Sequence, residues 1–286
     1  MFCVDFASYG IWVRNSSFLC EIGGCSLAGN GQANLYFDEL RSGPYGNYLP
    51  NVVSNCVIYG GGKGVECRRA IALSMVACIV HQADGAAYHI HSRSNAVAIS
   101  GSRSYQTSGD AVVVERSDEC SLSGNVFGWQ TGHGVVVRDS SWGTIGGNQI
   151  VDSGSYNAGG SDRATTFEDL PADAPLHNGI NLLSTSGYQV SGNAIFNWGV
   201  APPLGYGIWE DERCFKNSMV GNSINYYQSS AIRSAGRESI ARDTVEHSER
   251  PYNAIHDTAG PPRRLQSVDP ELTAQFLALQ TMRGVP

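Results

Sequence analysis

Glutamate, arginine and histidine side chains recur in this chain at nearly regular intervals. The six residues are Glu66, Arg68, His89, His91, Glu115 and Arg138. Two carboxylates can hydrolyse a glycosidic bond, either as acid and base or as acid and nucleophile. An arginine that neutralises a carboxylate, beside a histidine that removes the adjacent proton, can instead carry out an elimination. Both reactions require these side chains to lie on one surface, so the interpretation depends on the elements that hold them.

Each charged group belongs to a segment that begins with a small residue and continues with alternating apolar side chains. The segments start at Gly10, Gly64, Ala87, Ala111, Gly134, Gly179 and Gly207. From Gly64 to Gly134 successive starts are about 23 residues apart, a period typical of a solenoid with three short strands per coil. The step from Gly134 to Gly179 is nearly twice as long, and the last step is only slightly longer than the period. The long step corresponds to two repeats or to one repeat with a long insertion.

A second column of small or polar residues follows the start of each segment by about the same distance. Its members are Cys25, Cys56, Cys78, Ser102, Asn125, Asn148, Asn193 and Asn222. Stacked asparagine side chains can hydrogen-bond along a solenoid axis and satisfy turn backbone that would otherwise be buried without partners. Cysteine and serine are small enough for the same inward site. We therefore expect these cysteines to be packing residues rather than metal ligands or disulfides.

The two columns in phase predict an all-β fold, a right-handed parallel β-helix with three-strand coils of about 23 residues. The β-helix is expected over residues 1–250, with an incomplete amino end and a long loop insertion at 152–178. The tail, residues 251–286, is predicted to contain a helix over 270–283. Asp269 can cap this helix and Pro270 can occupy its first position, so that it covers the open end of the solenoid.

Alternation along each strand predicts two columns of outward side chains, because successive residues point to opposite faces. The first contains Trp12, Glu66, His89, Val113, Val136, Asn181 and Trp209, and the second contains Arg14, Arg68, His91, Glu115, Arg138, Leu183 and Asp211. We predict catalytic roles for Glu66, His89, His91, Glu115 and Arg138. Substrate-binding roles are predicted for Arg68, Trp12, Trp209, Asp211 and Asn181, and for Asp169 in the loop insertion.

These two columns do not decide between hydrolysis, elimination and a surface without catalytic function. Glu66 and Glu115 are two coils apart, which is near the separation expected in an inverting hydrolase. Arg68 or Arg138 with either histidine would serve an elimination. The alternative is a solvated face with ion pairs, because the outside of a β-helix is polar whatever its role.

Charge and composition narrow the class of ligand. The net charge is −7 and no basic stripe with interleaved aromatic rings occurs, which argues against a nucleic-acid partner. No run of about 20 apolar residues is present, so no membrane span is expected, and the first residues lack the features of a signal peptide. Arginine supplies most cations, since Lys63 and Lys216 are the only lysines, and this favours an anionic ligand. No cofactor is expected, although the acidic oxygens of the loop at 152–178 could bind Ca²⁺.

With the coils in register, residues 7–245 resemble the pectate-lyase-like superfamily. This superfamily includes polysaccharide lyases, polygalacturonases, inulin fructotransferases and phage tailspikes. The stretch at 108–137, SGDAVVVERSDECSLSGNVFGWQTGHGVVV, is similar to a polygalacturonase segment in which an acidic pair precedes Gly-His-Gly by one coil. The similarity maps Asp110 and His133 onto family positions, with Ala111 in place of the second aspartate.

The resemblance implies a carbohydrate-active enzyme that cleaves a polysaccharide or oligosaccharide, and the arginines favour an acidic one. It leaves β-elimination and hydrolysis open. It also admits a non-catalytic glycan-binding or structural β-helix of the tailspike or adhesin type, and a fructan transferase. A homotrimer and a secreted or extracellular location are further implications of the same resemblance.

Overall fold

Short parallel strands follow one another around three faces of the chain, so that every third strand returns to the same sheet. The computed structural model describes residues 1–14, 19–40, 50–154, 176–197 and 204–247. All of them lie in one compact unit, Met1–Pro251, and the helix predicted over 270–283 lies outside the described residues. The described part contains no helix that is long and apolar enough to cross a membrane.

The strands are numbered β1 to β28 in chain order and fall into three parallel sheets. Sheet one consists of β1 (Phe2–Val4), β4 (Ser26–Ala28), β7 (Val57–Tyr59), β10 (Ile79–His81), β13 (Arg103–Tyr105), β16 (Val126–Gly128), β19 (Gln149–Val151), β22 (Ala194–Phe196), β25 (Ser223–Asn225) and β28 (Val245–His247). Sheet two consists of β2 (Tyr9–Arg14), β5 (Ala33–Asp38), β8 (Lys63–Arg68), β11 (Tyr88–His91), β14 (Val112–Glu115), β17 (Val135–Arg138), β20 (Ile180–Leu183), β23 (Leu204–Glu210) and β26 (Tyr227–Arg233).

Sheet three completes each coil and carries none of the predicted site residues. Its strands are β3 (Glu21–Gly23), β6 (Asn51–Ser54), β9 (Ile71–Val76), β12 (Asn95–Ser100), β15 (Ser121–Ser123), β18 (Thr144–Gly146), β21 (Gln189–Ser191), β24 (Ser218–Val220) and β27 (Ile240–Arg242). Sheet two holds the longer strands of the coils, so we describe the register there.

The pairing in sheet two fixes the number of coils. β17 pairs directly with β20, so the long step between Gly134 and Gly179 is one coil with an insertion rather than two coils. Between Gly10 and Gly64 the chain makes one coil that the aligned segments did not include, because β5 lies between β2 and β8. The parallel β-helix with three strands per coil is therefore confirmed, with one coil added.

Two inward columns of sheet two form much of the core, as the alternation predicts. The first contains Leu35, Val65, Tyr88, Val112, Val135, Ile180 and Ile208, all of them buried. The second contains Phe37, Cys67, Ile90, Val114, Val137 and Leu182, and then Glu210. Each apolar side chain buries surface against the coils above and below it, which stabilises the stack at about 25 cal/mol per Å². The carboxylate of Glu210, at 0% exposure, is the exception in this apolar column.

An asparagine ladder runs along the corner between sheets three and one. Asn125 Nδ2 donates to Asn148 Oδ1 at 2.9 Å, Asn148 Nδ2 to Asn193 Oδ1 at 3.0 Å, and Asn193 Nδ2 to Asn222 Oδ1 at 2.9 Å. The backbone N–H of Asn125 also donates to Asn148 Oδ1, at 3.0 Å, so the ladder satisfies buried main chain. Gly124 precedes the first asparagine with a φ of 63°, a conformation that glycine adopts without strain. The predicted ladder is confirmed.

The cysteines of the same column behave as packing residues. All eight cysteines of the chain are free, and Cys25, Cys56 and Cys78 are buried. Cys78 N–H donates to Ser102 Oγ at 3.1 Å, which continues the column toward the asparagines. The expectation that these thiols form no disulfide is confirmed.

Candidate functional site

The Glu66 carboxylate is the centre of a polar cluster on the outer face of sheet two. Lys63, three residues earlier on the same strand, donates from Nζ to Glu66 Oε1 at 2.5 Å. On the next coil, His91 Nε2 lies 3.1 Å from the same oxygen. Since a carboxylate only accepts, neutral His91 carries its proton on Nε2, and its Nδ1 accepts from the Ser92 hydroxyl at 2.8 Å. Two adjacent coils therefore hold a carboxylate and an imidazole in a fixed relation.

His89 completes the cluster, which we call the Glu66 cluster (Lys63, Glu66, His89 and His91). His89 is the register partner of Glu66, and its ring stacks on that of His91 with centroids 4.4 Å apart and planes 19° apart. His89 Nδ1 is 3.8 Å from Glu66 Oε1, which is too far for a hydrogen bond. The ionised carboxylate favours the tautomer with the ring proton on this nitrogen, which leaves Nε2 as the nitrogen that can accept a proton from a ligand.

The surroundings of Glu66 and His89 lower the pKa values of both side chains. Burial raises the pKa of Glu66, but hydrogen bonds from His91 and Lys63, and their charges, outweigh burial and lower this pKa to about 2. Burial lowers the pKa of His89 to about 4, and the charges of Lys63 and of His91 in its protonated form act in the same direction against that of Glu66. At neutral pH the cluster thus presents an ionised carboxylate beside an unprotonated imidazole.

Acidification is expected to destabilise the protein through His89. Its folded-state pKa of about 4 is below the value of about 6.5 in an unfolded chain, so the unfolded state binds this proton more tightly. The free energy of unfolding therefore falls as the pH drops from about 6.5 to about 4, by about 3 kcal/mol from this residue. Urea unfolding at several pH values should show a shallower decline for His89→Gln than for the wild type.

Glu66 does not interfere with this comparison. Its pKa is lowered on folding, so the stability that it provides is complete above its ordinary pKa and is lost as the pH falls toward about 2. Between pH 6.5 and pH 4 the difference between the two proteins therefore reports on His89. Parallel pH profiles for the wild type and His89→Gln would contradict the prediction.

Three donors of the Glu66 cluster are close enough to surround a divalent cation. The ligand atoms of Glu66, His89 and His91 all lie within 4.8 Å of one another. However, the Lys63 ammonium is already 2.5 Å from the same carboxylate oxygen, and its charge opposes a second cation there. The Lys63 pair therefore disfavours a divalent cation at Glu66 Oε1.

Glu115 and Arg138 extend the second outward column beyond His91, as predicted. Glu115 Oε1 pairs with the neighbouring Arg116 at 3.1 Å, and the Arg138 side chain is exposed. Glu66 and Glu115 are separated by two coils and by two residues along the strand. These offsets place their Cα atoms about 12 Å apart.

Arg68 lies beside the Glu66 cluster, in the coil where the sequence predicts it. Its guanidinium is 3.3 Å from Asp38 Oδ1 on β5, and its side chain remains partly exposed. The next residue, Arg69, pairs with Glu39. A partly exposed cation beside His91 in the register can attract an anionic ligand even while it contacts a carboxylate.

Trp209 and Asp211 lie far from the Glu66 cluster. Trp209 is five coils from Glu66 in the register, about 24 Å along the axis at a rise of about 4.8 Å per coil. The Asp211 carboxylate accepts the backbone N–H of Ser184 at 2.9 Å and pairs with Arg213 at 2.8 Å. Asp211 is thus held within a corner of the coil. It does not lie near the other predicted site residues around Glu66.

Asn181 points away from the core, as predicted, but it is covered. Only 5% of its surface is exposed, and its Oδ1 accepts from Asn178 Nδ2 at 2.6 Å. Its neighbour in the column, Val136, is 3% exposed. Asp169, predicted to bind substrate from the loop insertion, lies outside the described residues.

Four residues beside Glu66 were missed by the sequence analysis. Tyr36 and Asp38 belong to β5, the coil that the aligned segments omitted, and Tyr9 contacts Tyr36 with ring centroids 4.5 Å apart. The signal was present, because Ala33 begins a segment in which Leu35 and Phe37 alternate with these polar residues in the same way as in the other coils. Lys63 was missed because it precedes the glycine from which each strand was aligned.

A family model matches most of this chain. The family model described as "Right handed beta helix region" matches residues 9–195 and 89–259 of the chain. This chain belongs to the right-handed β-helix family. Its fold is that of the pectate-lyase-like superfamily, as the coil period and the asparagine ladder predict.

Two solved β-helix structures are similar to this β-helix protein. The A-module of mannuronan C-5 epimerase AlgE6 from Azotobacter vinelandii is 16% identical, with a TM-score of 0.50, over 91% of this chain and 76% of that one. The enzymatically active domain of tailspike protein 2 of bacteriophage CBA120 is 13% identical, with a TM-score of 0.52, over 84% of this chain and 32% of that one. At these identities the likeness concerns the fold. No curated protein sequence matches the chain.

A second titratable group lies at the corner that precedes sheet two in this β-helix protein. Asp110 Oδ1 accepts the backbone N–H of His133 at 2.7 Å, and His133 Nδ1 accepts from Asn178 N–H at 2.8 Å. The rings of His133 and His177 meet edge to face with centroids 5.0 Å apart. Burial raises the pKa of Asp110 and lowers that of His133. Asp110 and His133 are therefore neighbours, but their hydrogen bonds hold the backbone of adjacent coils.

Proposed function

We propose that this β-helix protein is a polysaccharide lyase that cleaves an acidic polysaccharide by β-elimination at the Glu66 cluster. The observation that carries the proposal is His89, an unprotonated imidazole whose Nδ1 lies near the Glu66 carboxylate, which leaves Nε2 to accept a proton. It stacks on His91, which Glu66 in turn holds in place. A base that is fixed in position and free to accept a proton is what abstraction of a carbon-bound proton requires.

The chemistry follows from the acidity of a uronate. A proton on the carbon next to the uronate carboxylate is removable when nearby cations neutralise the negative charge that develops on the carboxylate. His89 takes this proton, the C–H electron pair forms a carbon–carbon double bond, and the bond to the neighbouring glycosidic oxygen breaks. The departing oxygen takes up a proton from solvent and His89 afterwards releases the proton it accepted, so the base is regenerated and no water is added across the cleaved bond. Lys63, whose charge acts on His89, and Arg68, the register partner of His91, are the cations that can neutralise the carboxylate.

A bound uronate is also expected to raise the proton affinity of His89. The pKa of His89, about 4 in the free protein, is low for a general base at neutral pH. A substrate carboxylate within a few ångströms favours the protonated imidazole and raises that pKa. Proton affinity at His89 therefore increases when substrate binds.

Hydrolysis is less well supported by the same residues. A hydrolase needs a protonated carboxylic acid to protonate the leaving group, and such groups have raised pKa values. The pKa of Glu66 is instead lowered to about 2, so this group is not protonated at neutral pH. A fructan transferase acts on a neutral sugar, which gives Lys63 and Arg68 no charged group to bind.

The products distinguish these reactions. We expect that incubation with a panel of uronate polymers, such as polygalacturonate and alginate, yields unsaturated sugars that absorb in the ultraviolet, in step with new reducing ends. Reducing ends without unsaturation would instead identify a hydrolase. A matched panel of neutral glucans and fructans serves as the control and should give neither product.

A non-catalytic glycan-binding β-helix is the second candidate. It is favoured by the ion pairs of this face, because Lys63 pairs with Glu66 and Arg116 with Glu115. Paired charges are common on solvated surfaces that have no catalytic role. Strong binding on a glycan array, with no cleavage of any bound glycan, would favour this candidate over the lyase.

A further inference from the structure

We propose that Tyr9, Trp12 and Tyr36 form a subsite on which a sugar ring of an acidic polysaccharide stacks, on the amino-terminal side of the Glu66 cluster. We call these residues the aromatic subsite. This inference rests on the proposed function, because it treats the cluster as the reacting centre. Beyond the proposed function, it specifies the direction in which the substrate extends from the cluster and the residues that bind it.

The three rings form one connected surface. Tyr9 and Tyr36 stack with centroids 4.5 Å apart and planes 15° apart, and Trp12 lies 5.4 Å from Tyr9 and 6.0 Å from Tyr36. Tyr36 is buried beneath its neighbours, whereas Trp12 is 48% exposed. The tyrosines therefore support the exposed indole, which presents a rigid apolar surface of the kind that sugar rings stack on.

The aromatic subsite is aligned with the Glu66 cluster. Trp12 pairs with Tyr36, and Tyr36 pairs with Glu66, so the three residues lie in one outward column. The distance from Trp12 to Glu66 is two coils, about 10 Å along the axis. A polymer that lies along this column and reacts beside Glu66 must pass over the rings.

Charge favours an anionic sugar at these rings. The Arg14 guanidinium lies 5.0 Å from the centre of the Trp12 ring. The neighbouring column continues from Arg14 through Asp38 and Arg68 to His91, and Arg68 pairs with Asp38 at 3.3 Å. Burial also raises the pKa of Tyr36, so this supporting ring stays uncharged. A ring bearing a carboxylate would thus meet an apolar face and cations together.

The other direction along the column offers less to a sugar. Val113 and Val136 follow His89 in the register, and Val136 and Asn181 are nearly covered. Sugar residues on that side meet no exposed ring of this column before Trp209, although the exposed Arg138 lies in the neighbouring column. We therefore expect the protein to hold the sugars that extend from the cleaved bond over the amino-terminal coils, β2 and β5.

Binding measured without turnover tests the subsite. In a His89→Ala background, titration calorimetry with oligogalacturonates and oligomannuronates of increasing length reports affinity alone. Trp12→Ala is expected to weaken binding of a hexasaccharide by roughly tenfold and that of a disaccharide far less, because the shorter ligand fits at the Glu66 cluster. Trp12→Phe keeps a ring and should recover most of the affinity. Trp142→Ala, which removes an exposed indole from another face of the coil, is the matched control and should change nothing.

Each result separates this inference from the proposed lyase activity. If polymer is cleaved but Trp12→Ala binds every length like its parent, the subsite is wrong and the lyase stands. If binding depends on Trp12 and on length while no polymer is cleaved, the subsite stands and the elimination is wrong. Failure of the parent to bind either series would overturn the subsite. Thermal melting of Trp12→Ala checks that lost affinity does not reflect lost folding.

Discussion

Replacing His89 by alanine is expected to lower kcat/KM for cleavage of an acidic polysaccharide by about a thousandfold. The imidazole is the group that accepts the carbon-bound proton, and no other side chain of the Glu66 cluster has a nitrogen available for it. His91 uses Nε2 on Glu66 and Nδ1 on Ser92. The rate of appearance of unsaturated product measures the effect, and added imidazole should restore part of the activity because it can occupy the vacated space.

His81 supplies the control for this substitution. It is another partly buried histidine, on β10 of sheet one, and burial lowers its pKa as it lowers that of His89. His81→Ala should therefore reproduce any general effect of removing such a ring while leaving cleavage intact. Equal losses in the two variants, or full activity in His89→Ala, would remove His89 from the mechanism.

Replacing Glu210 by alanine is expected to destabilise the β-helix by about 3 to 5 kcal/mol. The carboxylate has 0% exposure and satisfies four donors at the carboxyl-terminal end of the described coils. Oε1 accepts from Asn217 Nδ2 at 2.8 Å and Ser239 Oγ at 2.7 Å, and Oε2 accepts from Ser234 Oγ at 2.7 Å and Gly236 N–H at 3.0 Å. Without the two carboxylate oxygens, these four donors lose their hydrogen-bond partner. Urea or thermal unfolding measures the loss.

Two variants show whether the hydrogen bonds account for this effect. Glu210→Gln keeps the shape but has one accepting oxygen, so an intermediate loss is expected. Glu238→Ala removes an exposed carboxylate that pairs with Lys216 at 3.5 Å, and it should change stability little. If Glu210→Ala unfolds at the same urea concentration as the wild type, the four donors must find other partners and the account is wrong.

Local periodicity in the sequence was enough to predict most of the fold. The alternation placed Val65, Tyr88 and Val112 inside and Glu66 and His89 outside, and the structure agrees. This succeeds because each strand must turn one face to the core, so a period of two is written in the residues themselves. The asparagine ladder was predictable for the same reason, since an inward polar turn needs a partner at every coil.

The site was predictable as a region but not as a set of partners. Stacking coils of similar length brings Glu66, His89 and His91 together, and the nearly constant period of the segments was sufficient for that. The Lys63 pair, the aromatic rings around Tyr36 and the covering of Asn181 were not predicted. These depend on side-chain conformation and on the coil of β5, which the aligned segments passed over.

The sequence by itself determined that the chain forms a parallel β-helix and which strand residues face outward, because both follow from local alternation and a repeated coil. Only the tertiary structure decided which outward residues meet. An insertion such as that between β17 and β20 changes the spacing in sequence without changing the hydrogen-bonded register of the strands. Glu210 illustrates the same point, since a carboxylate can occupy an apolar column only where later coils bring four donors to it.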